Sequence, residues 1–231
     1  MTAMRRGYDA DRRAADRWAA ERERMVAEQL ERRGIRDERV LAALRAVPRE
    51  RFVPAEIIDS AYADSALPIA GAQTISQPYI VAHMTAALAL RGTERVLEVG
   101  TGSGYQTAIL SRLAATVCTI ERLPALRDAA TSRLAEFGLT NVTFVCGDGS
   151  LGWPALAPYD AIIVTAGAPD APVPLLEQLD DGGRLVVPVG PVSEQSLLTV
   201  VRRGSAYERF YGLACRFVKL IGAHGWPEEG V

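Results

Sequence analysis

Hydrophobic and polar residues recur with different periodicities in the N-terminal and C-terminal parts of the chain. In the N-terminal part, apolar residues recur at helical spacing, which predicts a long helix within residues 1–33 that ends at Gly34. A short helix is predicted over Glu38–Ala46 with Asp37 as its N-cap, and another over Tyr79–Leu90. The stretch between these two helices is interrupted by prolines and glycines, so we expect it to be irregular.

In the C-terminal part, short apolar runs rich in β-branched residues alternate with helical segments. Strands are predicted at Arg95–Val99, Thr116–Glu121, Val142–Cys146, Ala161–Thr165 and Arg184–Val189, with helices at Tyr105–Leu113, Leu123–Phe137, Gly152–Leu156 and Val173–Gln178. Continuous apolar strands separated by helices are typical of a mostly parallel sheet covered on both faces. The last two runs, Leu197–Arg202 and Tyr207–Phe217, predict an antiparallel hairpin. We therefore expect an α/β fold with a mainly parallel sheet and an antiparallel C-terminal edge.

Composition narrows the possible function classes. The formal net charge of −2 lacks the basic excess of a nucleic-acid binder. No apolar run has the length of a membrane span, and the N-terminus lacks the apolar stretch of a secretory signal. Cys118, Cys146 and Cys215 are widely spaced in apolar contexts, which favours reduced core thiols. We expect a cytoplasmic protein, a monomer, with no nucleic-acid, membrane or metal partner.

A glycine-rich turn joins the first buried strand to the helix after it. Gly100, Gly102 and Gly104 let the backbone turn sharply and approach a ligand, and the helix N-terminus offers free N–H groups. A dinucleotide fingerprint needs glycine where Tyr105 stands, and no Gly-Lys-Ser/Thr follows, so NAD, FAD and a P-loop fit poorly. A tight turn without a ligand is the alternative. The loop behind Glu98 resembles the first motif of Rossmann-like methyltransferases, which implies S-adenosylmethionine.

Two further acids end the next two predicted strands. Glu121 lies about twenty residues beyond the glycine loop, where a carboxylate can accept both ribose hydroxyls of a cofactor. For Asp148, between Gly147 and Gly149, the methyltransferase resemblance implies a contact with the adenine amino group. Each acid alone fits an ordinary strand end or turn. Because the carboxyl ends of parallel strands meet at one crevice, the glycine loop and the two acids together predict one cofactor site.

A polar, glycine-containing segment precedes the glycine loop. Residues 67–78 read LPIAGAQTISQP, and such an irregular loop beside a cofactor crevice suits a substrate site. The segment is similar to the signature of the protein-L-isoaspartate (D-aspartate) O-methyltransferases, the protein repair methyltransferases. Other stretches agree with that family and keep its order: AVPRERFV at 46–53, GSGYQTA at 102–108, YDAIIVTA at 159–166, and QL followed by GGRLVVPVG between 178 and 190. The resemblance extends from about Met25 to Trp226.

This resemblance implies a reaction and a set of residues. A methyl group would pass from S-adenosyl-L-methionine to the free α-carboxylate of L-isoaspartyl residues in proteins and peptides, leaving S-adenosyl-L-homocysteine. The ester would cyclise to a succinimide, and its hydrolysis would return some aspartate. Ser76 takes the active-site hydroxyl position, with Thr74 beside it. The implied cofactor-binding residues are Ile75, Gln77, Glu98, Gly100, Thr101, Gly102, Ser103, Gly104, Glu121, Arg122, Asp148 and Gly149. Thr165, Ala166 and Gly167 are expected to contact the peptide.

The chain departs from the family pattern at a few positions. Ala70 and Ala72 stand where the family often has glycine, and we expect them to narrow the substrate loop. Lys219 stands where proline is common. A carboxylate substrate is already ionised at neutral pH, so the reaction needs no general base. This fits a chain with two histidines, His83 on a predicted helix and His224 in the C-terminal tail.

The change of hydrophobic periodicity also predicts how the chain divides into an extension and a domain. We expect an N-terminal helical extension at residues 1–33 and a single methyltransferase domain at residues 34–231. Within that domain, residues 34–92 would form a cap on the substrate side and residues 93–231 the cofactor-binding core.

Other functions stay open at this point. A relative that methylates aspartate in a biosynthetic peptide would share every cofactor residue. A methyltransferase for small molecules or RNA would need a different substrate loop and, for RNA, a basic face. Tyr105 opposes a nicotinamide oxidoreductase. A regulatory protein that only binds the cofactor is the alternative outside the enzymes.

Overall fold

A seven-stranded sheet forms the centre of the structure, a computed structural model that describes residues 16–228. Its strands lie in the order β5-β4-β3-β6-β7-β8-β9. Their bounds are Arg95–Val99 (β3), Thr116–Glu121 (β4), Val142–Cys146 (β5), Tyr159–Val164 (β6), Leu179–Val189 (β7), Gln195–Arg203 (β8) and Ala206–Cys215 (β9). Two short strands that precede them, β1 (Leu67–Pro68) and β2 (Thr74–Ile75), pair with each other outside the sheet.

The pairing directions confirm the predicted architecture. Strands β5, β4, β3, β6 and β7 run parallel, whereas β7, β8 and β9 pair antiparallel. The largest boundary error is in β7, which begins at Leu179, not at Arg184; the other predicted strand ends lie within two residues of the observed ones. Leu179 pairs with Tyr159, and the register then shifts so that Arg184 pairs with Ala161. The intervening Gly182–Gly183 pair hid the continuation, because glycines interrupt the apolar run by which a strand is recognised.

Helices cover the sheet and build the region before it. Their bounds are residues 16–31 (α1, with Val26–Glu31 as a π-helical turn), Glu38–Ala46 (α2), Pro78–Ala87 (α3), Tyr105–Leu110 (α4), Pro124–Ala135 (α5) and Val173–Glu177 (α6). Apart from the start of α1, the observed helix ends lie within three residues of the predicted ones. The helix predicted over Gly152–Leu156 was wrong: two 3₁₀ turns flank Gly152, whose φ of +66° interrupts a right-handed helix.

Consecutive strand residues point to opposite faces of the sheet and so enter two separate cores. Val96 joins a core shared with the N-terminal helices, whereas Leu97 joins a core with α6 and the last strands. Met25, Val26 and Leu30 of α1 are fully buried in the first core. The helix within the predicted extension therefore packs with the rest of the fold, and the division at residue 33 stays a prediction. Residues 1–15 of that extension lie outside the described residues.

The three cysteines differ in exposure. All three are free, with Cys118 buried and Cys215 half-buried. Cys146 is exposed, so its assignment to the core was wrong. It lies at the end of β5, an edge strand with a neighbour on one side only. Between residues 16 and 228, no helix has the length and apolarity needed to cross a membrane.

The first testable feature is the N-cap of α2. The Asp37 carboxylate accepts hydrogen bonds from Arg39 N at 3.0 Å and Val40 N at 3.2 Å, as predicted for a cap. We expect Asp37→Ala to lower the free energy of unfolding by about 1 kcal/mol because two helix N–H groups lose their acceptor. Urea denaturation measures this change. Asp37→Asn is the matched control and should keep the stability, since asparagine caps as well; equal losses in both variants would contradict the capping role.

Candidate active site

The loops after β3, β4 and β6 meet at one edge of the sheet. The register places Val99 beside Ile120 on one side and beside Val164 on the other. The loops after β3 and β6 and the segment around β2 form what we call the inner cleft, which is lined by residues 73–76, 81, 84, 100–103, 105–106, 165–166 and 217–218. The convergence predicted from the strand order is therefore present, and the segment that ends at Ser76 lies against the glycine loop.

The glycine loop has a fixed backbone conformation. Gly100 has a φ of +97°, and a Cβ there would lie 2.3 Å from the hydroxyl oxygen of Thr165. That hydroxyl donates to Gly100 O at 2.7 Å, which holds the loop against the end of β6. Gly104, with a φ of +86°, is the N-cap of α4. Glycine is required at both positions because their positive φ disfavours any side chain, and at Gly100 the space is also filled.

Glu121 connects the glycine loop to the next strand. One carboxylate oxygen accepts Gly102 N at 2.9 Å, and the other accepts Leu123 N at 3.0 Å. A carboxylate oxygen has two lone pairs, so each oxygen keeps one for a ligand hydroxyl. Glu121 lines a second part of the site, the acid-side pocket, which we define by residues 99–100, 120–123, 149 and 219–221. Arg122 lines the same pocket and forms an ion pair with Glu228 at 2.9 Å.

Glu98 lies behind the loop rather than in the cleft. Its side chain is fully buried, and one carboxyl oxygen accepts the hydroxyls of Thr107 at 2.6 Å and Thr119 at 2.7 Å. Thr119 in turn shares a 2.6 Å hydrogen bond with Thr101 of the loop. Burial raises the pKa of Glu98 to about 8, although the two hydroxyls oppose this change. Glu98 therefore contacts the side chains that support the glycine loop.

Asp148 faces the C-terminal segment. Its carboxylate accepts Ser150 N at 2.9 Å, the Ser150 hydroxyl at 2.7 Å and Ala223 N at 2.7 Å. Burial raises the pKa of Asp148, but these hydrogen bonds more than offset it and hold the pKa below its usual range. The neighbouring Gly149 lines the acid-side pocket, and a Cβ there would lie 2.4 Å from Val99. In this structure Asp148 binds the C-terminal segment, whereas Gly149 lines the acid-side pocket.

The C-terminal segment, residues 218–228, forms one wall of the acid-side pocket. Lys219, Leu220 and Ile221 line it. Gly167 holds the segment with both backbone groups: its N–H donates to Val218 O at 2.7 Å, and its carbonyl accepts Leu220 N at 2.8 Å. From the sequence, Gly167 was expected to contact the peptide, and only Lys219 and His224 of this segment were singled out. The fold-back depends on contacts with Gly167, which is distant in the sequence, so no local pattern indicates it.

On the substrate side, Ser76 lies between two concave surfaces. It lines the inner cleft and also an outer groove, which we define by residues 64–66, 74, 76–77, 80 and 214–217. Thr74 and Phe217 also line both the inner cleft and the outer groove. Gln77 is the N-cap residue of α3, but its side chain makes no cap and donates to the carboxylate of Asp64 at 2.8 Å. Gln77 thus lies on the groove side, whereas the buried Ile75 lines the inner cleft.

Two residues of the substrate loop adopt left-handed backbone. Ala72 has a φ of +53° and Gly71 a φ of +67°. Alanine strains the backbone in this region, which gives a physical reason for glycine at position 72 in the family pattern. Neither Ala70 nor Ala72 lines the inner cleft, so the expected narrowing of the loop does not occur there.

No histidine lines the inner cleft, the acid-side pocket or the outer groove within residues 16–228. His83 is half-buried on α3, and burial lowers its pKa. The backbone N–H of His224 donates to the Ser150 hydroxyl at 3.0 Å. The same described part of the chain holds no group of three or more side chains suited to bind a metal ion.

The sheet order, the glycine loop after β3 and the acid that ends β4 together define a Rossmann-like methyltransferase. Comparison with protein families matches residues 20–225 to "Protein-L-isoaspartate(D-aspartate) O-methyltransferase (PCMT)". The chain belongs to this family.

Individual relatives agree over nearly the whole length. A protein-L-isoaspartate O-methyltransferase of Methanoculleus marisnigri is 54% identical, over 93% of this chain and 98% of the relative. A protein of Pelobacter propionicus named protein-L-isoaspartate O-methyltransferase 2 is 58% identical, over 89% of this chain and 92% of the relative.

Solved structures show the same fold. One protein-L-isoaspartate O-methyltransferase superposes with a TM-score of 0.80 at 32% identity, over 88% of this chain and 67% of the other. A Plasmodium falciparum structure, described as a complex with S-adenosyl-L-homocysteine, has a TM-score of 0.76 at 23% identity and supports the fold alone. It covers 87% of this chain and 98% of that one.

The buried Glu98 leads to a prediction about pH. Its folded-state pKa of about 8 lies above the ordinary value of 4.5, so its contribution to stability is lost as the pH rises between these values. Glu98→Gln removes this titration. We expect the stability of this variant relative to the wild type to increase from pH 6 to pH 8 in urea denaturation.

Glu94→Gln is the matched control for this experiment. Burial raises the pKa of Glu94, but hydrogen bonds from backbone N–H groups outweigh burial and lower it below 4.5. Glu94 therefore stays ionised in both states above pH 6, and the difference from the wild type should stay constant. If the stability difference between Glu98→Gln and the wild type also stayed constant from pH 6 to pH 8, Glu98 would be ionised in the folded protein over this range.

Proposed function

We propose that this protein is a repair methyltransferase. It transfers a methyl group from S-adenosyl-L-methionine to the free α-carboxylate of L-isoaspartyl residues in damaged proteins and peptides. The observation that carries the proposal is the position of Ser76, between the inner cleft and the outer groove, in a chain of the PCMT family. A substrate carboxylate held there would face the part of the cleft that the glycine loop lines, where the methyl donor would bind.

The residues present fit the cofactor. When bound, S-adenosylmethionine supplies a methyl group activated by its sulfonium. Gly100 and Gly149 both line the acid-side pocket, and neither has room for a Cβ, which would meet Thr165 and Val99 respectively. Glu121 keeps free lone pairs for the ribose hydroxyls. Gly100, Thr101, Gly102 and Ser103 line the inner cleft and would hold the methionine part of the cofactor, and Arg122 lines the acid-side pocket.

Glu98, Gly104 and Asp148 act less directly in this proposal. Glu98 orients the loop through the threonines behind it, and Gly104 gives the turn into α4. Asp148 fixes the C-terminal wall of the acid-side pocket through Ala223. The proposed contact between Asp148 and the adenine would have to share a carboxylate that already accepts three hydrogen bonds.

The substrate needs orientation rather than activation. An α-carboxylate has a pKa of roughly 3.5 and is a nucleophile at neutral pH, so no base has to remove a proton. Ser76 can donate a hydrogen bond that orients the carboxylate, with Thr74 beside it, and leaves the negative charge in place. A cationic clamp would bind the charged ground state more strongly than the transition state, in which the charge disappears.

The walls of the inner cleft favour this loss of charge. Val81, Met84 and Phe217 are apolar and line the cleft together with the hydroxyl groups. Water stabilises a separated anion and sulfonium, so a cleft that excludes water favours the neutral products. The methyl ester then cyclises to a succinimide, and hydrolysis of the succinimide returns some aspartate.

The outer groove is the proposed peptide site. It is bounded by residues 64–66 on one side and 214–217 on the other, so an extended backbone can pass over Ser76. Thr165 and Ala166 line the inner cleft and would contact the isoaspartyl residue itself. Gly167 would act through the C-terminal segment, because its backbone groups are engaged there.

Two further expectations belong to this proposal. We place the enzyme in the cytoplasm, since its three cysteines are free and a reducing compartment keeps thiols in that state. The monomeric state stays a prediction, and light scattering at working concentration tests it.

The substrate class has a direct test. We expect labelled methyl transfer from S-adenosylmethionine to an isoaspartyl peptide, and at most trace transfer to the same peptide with normal aspartate, because only the former presents the free α-carboxylate at this position. Equal labelling of both peptides, or of neither, would overturn the repair function. Transfer to the aspartyl peptide alone would indicate the biosynthetic alternative.

The role of Ser76 is tested separately. We expect Ser76→Ala to lower kcat/KM for the isoaspartyl peptide by about tenfold or more, because the carboxylate loses the group that orients it. Ser111→Ala is the matched control, since this hydroxyl donates to Ala108 O at 2.9 Å away from the cleft. Ser76 has no role in orientation if both variants keep the wild-type kcat/KM.

A further inference from the structure

Arg49 is a fully buried cation on the substrate side of the molecule. It belongs to the 3₁₀ turn Arg49–Phe52, and its side chain is 0% exposed. Its Nε donates to Ala61 O at 2.8 Å, and its Nη2 donates to Ser76 O at 2.8 Å. The guanidinium also lies over the ring of Tyr105, 4.9 Å from its centroid.

No carboxylate pairs with this guanidinium among residues 16–228. The neighbouring Glu50 accepts the hydroxyl of Tyr62 instead, and Nη1 of Arg49 makes no hydrogen bond of ordinary geometry, with the neutral hydroxyl of Tyr105 interacting with the guanidinium. Removing a cation from water without a counter-charge is unfavourable, and apolar residues often replace buried charges without loss of stability. Stability alone is therefore a poor explanation for arginine at this position.

The three contacts of Arg49 connect the parts of the proposed site. Ala61 precedes residues 64–66, which form one wall of the outer groove. Ser76 lies between groove and cleft, and Tyr105 lines the inner cleft directly after the glycine loop. A planar guanidinium donates in fixed directions, so it fixes these segments relative to one another more strictly than a flexible ammonium group does.

We propose that Arg49 is a positioning residue for methyl transfer: its guanidinium holds the Ser76 backbone, and with it the substrate carboxylate, in line with the cofactor bound by the glycine loop. This role rests on the proposed function, because it acts through Ser76. Small errors in alignment have large effects on rate, so Arg49 should affect kcat more than cofactor binding.

Arg49→Met tests the proposal, because methionine fills similar space without donors. Arg51→Met is the matched control in the same turn: Arg51 is on the surface, where it pairs with Glu136. For each folded variant we would measure kcat and KM on the isoaspartyl peptide, the Kd for S-adenosylhomocysteine by calorimetry, and Tm. We expect Arg49→Met to lower kcat by about tenfold or more, with a Kd within about threefold of the wild type. Arg51→Met should keep the wild-type kcat.

Arg49→Lys separates positioning from folding. It keeps the charge and can donate to one of the two carbonyls, so we expect a folded protein with a kcat between those of Arg49→Met and the wild type. A wild-type kcat per folded molecule in Arg49→Met or Arg49→Lys, with only Tm reduced, would show a structural role and overturn the proposal. Failure of both variants to bind S-adenosylhomocysteine would overturn it too, since Arg49 would then serve the whole fold.

The activity of the wild type on the isoaspartyl peptide distinguishes a failure of this proposal from a failure of the proposed function. A wild-type protein that does not methylate the isoaspartyl peptide would refute the repair function, and the role of Arg49 with it. An active wild type together with an unimpaired Arg49→Met variant would refute the role of Arg49 alone.

Discussion

The site depends on the parallel pairing of β3 with β4 and β6. The hydrogen-bond ladder continues beyond the strands, since Gly100 N donates to Ile120 O at 2.8 Å and Thr165 N donates to Val99 O at 2.9 Å. The first residues of two loops are therefore held as firmly as the sheet. A ligand meets a backbone that is already in place, so little conformational entropy is lost when it binds.

Buried polar groups are concentrated on the face of the sheet that carries the N-terminal helices. Glu98 lies behind the glycine loop, bonded to Thr107 and Thr119, and Arg49 lies behind Ser76. These two ionisable groups are not paired with each other; each one hydrogen-bonds neutral hydroxyl or carbonyl groups. Such networks restrict the surrounding segments, because moving them would break the hydrogen bonds that these buried groups make.

The sequence predicted most of the sheet because its signals are local. Buried parallel strands such as β3 appear as continuous apolar runs, and the glycines of the loop need positive φ whatever the rest of the chain does. The N-cap at Asp37 was equally predictable from the sequence, because its hydrogen-bond partners, Arg39 and Val40, are close to it in the chain.

The parts of the site that were not predicted depend on distant contacts. The methyltransferase resemblance assigned Asp148 to adenine, but nothing near Asp148 in the sequence indicates its contact with Ala223, which is 75 residues away. Arg49 was part of a recognised motif, but its contacts with Ser76 and Tyr105 cross three elements. No periodicity in sequence encodes such a pairing, because it arises only when the chain has folded.

The C-terminal segment has a consequence for how the chain is handled in the cell and in the laboratory. Every strand of the sheet is complete at Cys215, yet one wall of the acid-side pocket comes from Lys219, Leu220 and Ile221. When only the first 215 residues have emerged from the ribosome, the chain therefore has every strand of the sheet but not the whole acid-side pocket. Proteolysis at the same point would leave a chain with all its strands and an open acid-side pocket.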